Sequence, residues 1–137
     1  MLVVSLSHGD QHGLVLAVLA IVAFILFHKS NHRFAFHFDT VILAACAGIT
    51  FAFSSNSIVS QFEYIFDLVV SALVGGCALY ALQKGQKYIV YGYFIHAVWD
   101  LLHHSFFHVA TTKTPYWYPT FCMVYDFFVA FYYLSRK

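Results

Sequence analysis

The sequence predicts an all-α fold: a single domain over residues 1–137 built as a polytopic bundle of five transmembrane helices, N-terminus outside and C-terminus inside. Three observations predict it. The 137 residues are 61% hydrophobic and 20% aromatic but only 9% charged, where soluble domains average about 25% charged. Apolar runs recur five times along the chain. Lysine and arginine then fall almost entirely on one side of the resulting arrangement, as they do when short basic loops remain cytoplasmic.

Crossing about 30 Å of hydrocarbon takes about 20 apolar residues. The first run, Gly13 to Phe27, is short, so its helix is expected to begin within residues 2–12. MLVVSLSHGD has neither a positive n-region nor a small-residue cleavage site, so this span is expected to stay rather than be removed as a signal peptide. The second run, Val41 to Phe53, either extends through Ser54 to Ser60 or sits in a locally thinned bilayer. Leaving out either short run would strand an apolar segment in water or unpaired backbone in lipid. The third, Phe62 to Leu82, contains the small-xxx-small pairs Ser71/Gly75 and Ala72/Gly76, which let a neighbouring backbone come close, and it is expected at the bundle centre. The fourth runs from Tyr88 to Phe107. The fifth, Tyr118 to Leu134, is entered through Pro115, Tyr116, Trp117 and Pro119, an interfacial aromatic anchor.

In this arrangement Lys29, Arg33, Lys84, Lys87, Arg136 and Lys137 share one side and only Lys113 lies on the other. The expected locale is a bacterial inner membrane, crossed several times, with the bilayer as first partner. No basic stripe occurs, which argues against nucleic acid. Cys46, Cys77 and Cys122 lie in apolar runs without CxxC spacing and read as helix-packing residues.

The ionisable residues are unevenly placed. Asp10, Glu63, Asp67, Asp100 and Asp126 fall toward the outer side and Asp39 alone toward the inner one; His28, His32 and His37 stand apart on the cytoplasmic side. In His96-Ala-Val-Trp-Asp100-Leu-Leu-His103-His104, residues 96, 100 and 103 are spaced i, i+4, i+7 and stack on one helix face, with His104 about a quarter turn aside. Charged groups at membrane depth cost at least about 2.5 kcal/mol and normally pair inside the bundle. Asp67 and Asp126, at comparable depth, are the expected partners. Three readings remain open. A transition metal ion (Fe, Zn or Cu) takes nitrogens from His96, His103 and His104 and an oxygen from Asp100 or Asp126, with a further carboxylate such as Asp67 orienting an imidazole. Alternatively the residues form a structural polar network, or His96 or His103 ligates haem. His8 and His12, also spaced i, i+4, are either extra ligands or part of a solvated terminus.

The HxxWDxLHH stretch, followed by Pro115 or Pro119, Cys122, Asp126 and Tyr132-Tyr133, resembles a family of small bacterial membrane proteins of unknown function. The resemblance covers the last third of the chain; it implies that His96, Trp99, Asp100, His103, His104 and Asp126 belong to one site, and it implies no activity. Asp100-Leu-Leu-His103-His104 also echoes the HxxHH boxes of membrane desaturases and hydroxylases, and His28-Lys-Ser-Asn-His32 supplies an HxxxH, but the charge pattern puts the two boxes on opposite faces. Membrane hydrolases that hold zinc beside a serine share this inventory, with Asp67 and Ser71 in those places, although they have seven helices.

No lysine lies within a span and no GxSxG, P-loop or dinucleotide motif occurs. Three functions fit: a metal-binding membrane protein, enzymatic or redox, with its site opening to the outer face; a non-catalytic subunit of a larger membrane complex or homo-oligomer; or a proton or metal-ion conduit. Against the conduit stands the lack of acids in the inner half of helices 3 to 5.

Overall fold

Ser7 and Ser60 each accept from the backbone of the third residue on, while Asp10 and Glu63 reach back to the serine. These two capping boxes satisfy the first orphan amides of their helices and fix where each begins. The computed structural model describes residues 7–31, 33–56, 60–104 and 114–136, and among them the chain forms α1 (His8–Ser30), α2 (Ala35–Asn56), α3 (Gln61–Lys84), α4 (Lys87–His103) and α5 (Tyr118–Leu134). Gly85, with φ of 100°, ends α3 in a backbone conformation that a side chain would strain, and the chain turns at once into α4. Pro119 sits in the first turn of α5, where its missing N–H costs nothing.

At 22 to 24 residues, α1, α2 and α3 are long and apolar enough to cross a membrane. α2 outruns its apolar core at both ends, because the stretch from Ala35 through Asp39 joins the helix with its carboxylate turned inward. α4 closes at His103, with His104 already extended at ψ of 137°. The expected continuation to Phe107 lies outside the described residues, as do His108, Lys113, His32 and Lys137.

The burial pattern is inside out. Val15, Leu19, Leu26, Phe34, Val41, Phe62 and Leu79 are exposed, whereas Asp10, Asp39, Asp67, Asp100 and Asp126 are buried. A water-soluble chain does the reverse; lipid accepts the apolar surface and rejects the charge. The apolar helices therefore contact a lipid bilayer.

α4 is the central helix, packing on α3, α5 and α2, while α3 packs on α2 and α4. The expectation that α3 is central is corrected by two glycines. At Gly92 of α4 an added Cβ would collide with Leu43 of α2 and stand 3.0 Å from Cys77 of α3, so α4 meets both helices closely there. Of the α3 pairs, Ser71/Gly75 does face α2, since the Ser71 hydroxyl donates to the Ala47 carbonyl at 2.7 Å and Gly75 lies over Ala47, but Gly76 faces open space. α1 packs on α5 and runs parallel to it, Gly13 lying against Trp117 and Phe24 against Phe128 and Tyr132. α1 and α2 approach each other through Phe27 and Phe38, 4.7 Å apart, and through His28 and Asp39. These registers gather Lys29, Arg33, Lys84, Lys87 and Arg136 at one end of the bundle, called here the basic end.

The α1–α5 contact gives a direct test. An added Cβ at Gly13 would stand 2.5 Å from the Trp117 carbonyl oxygen and 3.0 Å from the Phe121 nitrogen, whereas Gly48 faces open space. Gly13→Leu is expected to destabilise the bundle by about 1–3 kcal/mol through overpacking. Gly48→Ala is expected to leave stability unchanged or raise it by up to about 1 kcal/mol through helix propensity. Thermal unfolding in detergent, followed by circular dichroism, distinguishes the two.

Candidate functional site

The i, i+4, i+7 spacing on α4 turns His96, Asp100 and His103 inward, where their neighbours come from every other helix except α1. His96 and Asp100 are 0% exposed and Asp126 is 1% exposed. His96 Nδ1 lies 2.6 Å from Asp126 Oδ2 and 3.2 Å from Asp100 Oδ2. Its other nitrogen, Nε2, lies 3.0 Å from Thr50 Oγ1 of α2.

Thr50 decides the tautomer. Its hydroxyl donates to the Cys46 carbonyl at 2.9 Å, so Oγ1 has only lone pairs to offer and His96 Nε2 must carry the proton. The neutral ring then presents a bare Nδ1 to two carboxylates. That juxtaposition is repulsive unless a proton or a cation lies between them. Asp126 Oδ1 and both Asp100 oxygens are buried without a hydrogen-bond partner, which is costly for carboxylates in an apolar interior. Cys46 completes the group: its Sγ, an imidazole nitrogen of His96 and a carboxylate oxygen of Asp126 lie within 4.8 Å of one another, all three residues buried. Three helices thus converge nitrogen, oxygen and sulfur donors on one point.

The remaining residues singled out in the sequence form separate groups. Asp67 of α3 accepts from the Trp99 indole N–H at 2.7 Å, and His103 Nε2 stands 3.5 Å from the same oxygen. His103 Nδ1 lies 2.8 Å from the Trp99 carbonyl and therefore donates to it. Trp99 is a polar partner here as well as a packing one, its ring 3.9 Å from that of His103. His104 leaves the α4 face altogether: its Nε2 lies 2.8 Å from Asp10 Oδ1, which also accepts from Thr120 at 2.6 Å. His8 and His12 are exposed on the first turns of α1. Ser71, spent on Ala47, is not free to act beside Asp67 as a hydrolase serine.

Two features escaped sequence reasoning. Cys46 read as a packing residue, although its i, i+4 relation to Thr50 on α2 could have flagged a polar stripe facing α4. The second is at the basic end. His28 and Asp39, expected to stand apart on the cytoplasmic side, are buried together: His28 Nε2 lies 2.7 Å from Asp39 Oδ2, Tyr133 donates to the same oxygen at 2.5 Å, and the Tyr132 hydroxyl lies 2.9 Å from His28 Nδ1. The i, i+11 separation spans a helix break, so no periodicity announces it.

Residues 12–137 match a family of unknown function, DUF6010, and the chain belongs to that family. The match extends well beyond the C-terminal third on which the resemblance rested, and takes in α2 and α3 and nearly all of α1. Comparison with curated proteins and with solved structures gives no match.

Thr50→Val keeps the shape of the side chain but leaves the His96 Nε2–H buried without an acceptor, and is expected to cost about 1–3 kcal/mol. Thr50→Ser, which keeps the hydroxyl, is expected to recover most of that loss. Unfolding midpoints of the three proteins in one detergent check it.

Proposed function

We propose that this is a multi-pass integral membrane protein of a bacterial inner membrane, crossing it with five helices, that holds one transition-metal ion in the bundle interior. The carrying observation is the convergence of Cys46, His96 and Asp126 from α2, α4 and α5, beside the partnerless oxygens of Asp100 and Asp126. His96 Nδ1 and Asp126 are the central ligands, Asp100 supplies a further oxygen and Cys46 a sulfur. Thr50 is the outer partner that metal-bound imidazoles characteristically use to fix the ring. Asp67 of α3 and His103, the latter on the α4 face that carries His96 and Asp100, support a role next to the ion rather than on it, and His104 with Asp10 lines the end of the bundle away from the basic residues.

Charge supports a divalent ion. With Cys46 bound as a thiolate, a neutral imidazole, one carboxylate, one carboxylic acid and a dication sum to zero, the condition an apolar interior demands. A mixed nitrogen, oxygen and sulfur set suits zinc, ferrous iron or copper over the harder magnesium or calcium. Haem is less well supported, because His103 Nε2, the imidazole nitrogen of this face left without a hydrogen bond among the described residues, faces Asp67 at 3.5 Å beside the Trp99 ring. With Lys29, Arg33, Lys84, Lys87 and Arg136 gathered at one end, the rule for basic loops sets that end in the cytoplasm and the chain's N-terminus outside. Such a centre serves a metal-dependent enzyme or a redox protein acting on a small apolar or redox substrate.

Elemental analysis of detergent-purified protein tests the reading. About one ion per chain is expected in the wild type, as one three-helix site provides, with loss in His96→Ala and in Asp126→Asn and retention in His104→Ala, whose partner is Asp10. A wild type purified without chelator that carries no metal would sink the proposal. The cluster would then be a hydrogen-bonded network of imidazolium, carboxylate and carboxylic acid, and co-purifying membrane subunits would be the next thing to look for.

A further inference from the structure

Beside α1, on the side facing α2, lies a second feature that the metal reading does not use. A crevice of about 400 Å³ is lined by Ala20, Ala23, Phe24, Phe27, Phe38, Asp39, Ile42 and Tyr125. Its rim residues Ala23 and Phe38 are exposed, on a surface that lipid covers, while Phe24, Asp39 and Tyr125 form a buried floor. The Phe27–Phe38 contact narrows it toward the basic end. Alanines at 20 and 23 leave room that any larger residue would take up.

The floor is polar in a specific way. Among the described residues the Asp39 carboxylate is hydrogen-bonded through Oδ2, by Tyr133 and His28, and Oδ1 has no partner, although Asp39 is 1% exposed. Tyr125 is 9% exposed, and its ring is held edge-on by Phe24 and Tyr93, yet its hydroxyl has no partner in the bundle among the described residues. Neither oxygen is sealed into protein as the orphaned Asp100 oxygens are. A mostly apolar cavity of this size whose lining carries one carboxylate and one hydroxyl has the pattern of a small-molecule site.

The charges narrow the ligand. An anion is repelled by the Asp39 carboxylate, and a cation would have to cross lipid to reach a crevice that opens onto the apolar surface. A neutral hydroxyl satisfies both groups at once, donating to Asp39 Oδ1 and accepting from Tyr125. We propose that the α1–α2 crevice binds a neutral long-chain alcohol dissolved in the bilayer, which enters sideways between the two helices with its hydroxyl held between Asp39 and Tyr125. The inference stands apart from the metal site, since none of these residues is among the proposed ligands.

The test uses the full chain in phosphatidylcholine nanodiscs and a hexadecanol bearing a mid-chain diazirine, with crosslinks mapped by peptide mass spectrometry. Labelling is expected to be saturable, confined to residues 20–27 and 38–42, and competed by hexadecanol but not by hexadecane or hexadecyl methyl ether. Tyr125→Phe, checked for folding by circular dichroism, is expected to weaken binding about 10-fold, the equivalent of one hydrogen bond. Ala23→Trp, which fills the crevice, is expected to abolish labelling. Labelling spread over all exposed helix faces, or hexadecane competing as well as the alcohol, overturns the proposal. So does loss in Ala23→Trp with none in Tyr125→Phe, which would leave an apolar crevice without hydroxyl recognition. Metal content measured on the same preparation is a separate readout.

Discussion

Five buried aspartates in a bundle whose outside is apolar impose the constraint on which the rest of this structure depends. Placing a carboxylate in a low-dielectric interior costs several kcal/mol unless it is neutralised, and the neutralising group must arrive from a neighbouring helix in a fixed position. Four of the five have found such a partner, each by a different route. Asp10 takes Ser7, Thr120 and His104; Asp39 takes His28 and Tyr133; Asp67 takes the Trp99 indole; Asp126 takes His96. These pairs tie α1 to α5, α1 and α5 to α2, α3 to α4 and α4 to α5. The helices are held in register by charges that have nowhere else to go. Asp100 is the exception, near His96 but without a full hydrogen bond of its own, and it is the exception that makes its neighbourhood chemical rather than merely structural.

Packing serves the same end. Without a hydrophobic drive to associate in lipid, helices approach where small residues allow it. Gly92 brings α4 against α2 and α3, one turn from His96, and Gly13 and Gly9 bring α1 against the entry of α5, where Asp10 reaches Thr120. Close approach and polar pairing therefore occur at the same levels. The Thr50 and Ser71 hydroxyls, both bonded to α2 carbonyls, show the same economy: each satisfies itself on backbone and leaves its neighbour to be read by a third helix.

Much of this was legible in the sequence because hydropathy and charge act over long windows. Five helices follow from five apolar runs, and the common end of Lys29, Lys84, Lys87 and Arg136 follows from counting spans. The inward face of α4 was legible because its period is local: 96, 100 and 103 must share a face in any helix. What the helix opposite contributes is not local. Nothing in the chain says that Cys46 rather than Cys77 or Cys122 meets His96, since that depends on the rotation of α2 set by Gly92 and Leu43. His104 misled for a related reason, because helical spacing was extended one residue past the point where the backbone leaves the helix. Asp39 lies toward the inner side as its position in the chain predicts, but its burial was not legible, because the apolar run begins after it and hydropathy cannot see a polar turn that a partner helix buries.

The buried Asp39 also bears on conduction, since it sets an acid of α2 at the inner level although the inner halves of α3 to α5 carry none among the described residues. Its presence does not make a continuous path. Along α2 the buried order from the basic end is Asp39, Leu43, Cys46 and Thr50; along α5 it is Tyr133, Val129 and Asp126. Seven residues of helix separate the two polar levels on both strands of this comparison, about 10 Å at 1.5 Å per residue. Leu43 and Val129, both 0% exposed, fill that layer. Among the described residues the Tyr93, Tyr125 and Thr40 hydroxyls border it, and Tyr93 is committed to the Asp39 carbonyl and Thr40 to that of Phe36. A proton relay needs donors and acceptors within hydrogen-bond reach at every step. An apolar layer crossed by one hydroxyl is better suited to insulating the proposed metal site among α2, α4 and α5 from the proposed ligand crevice between α1 and α2 than to joining them.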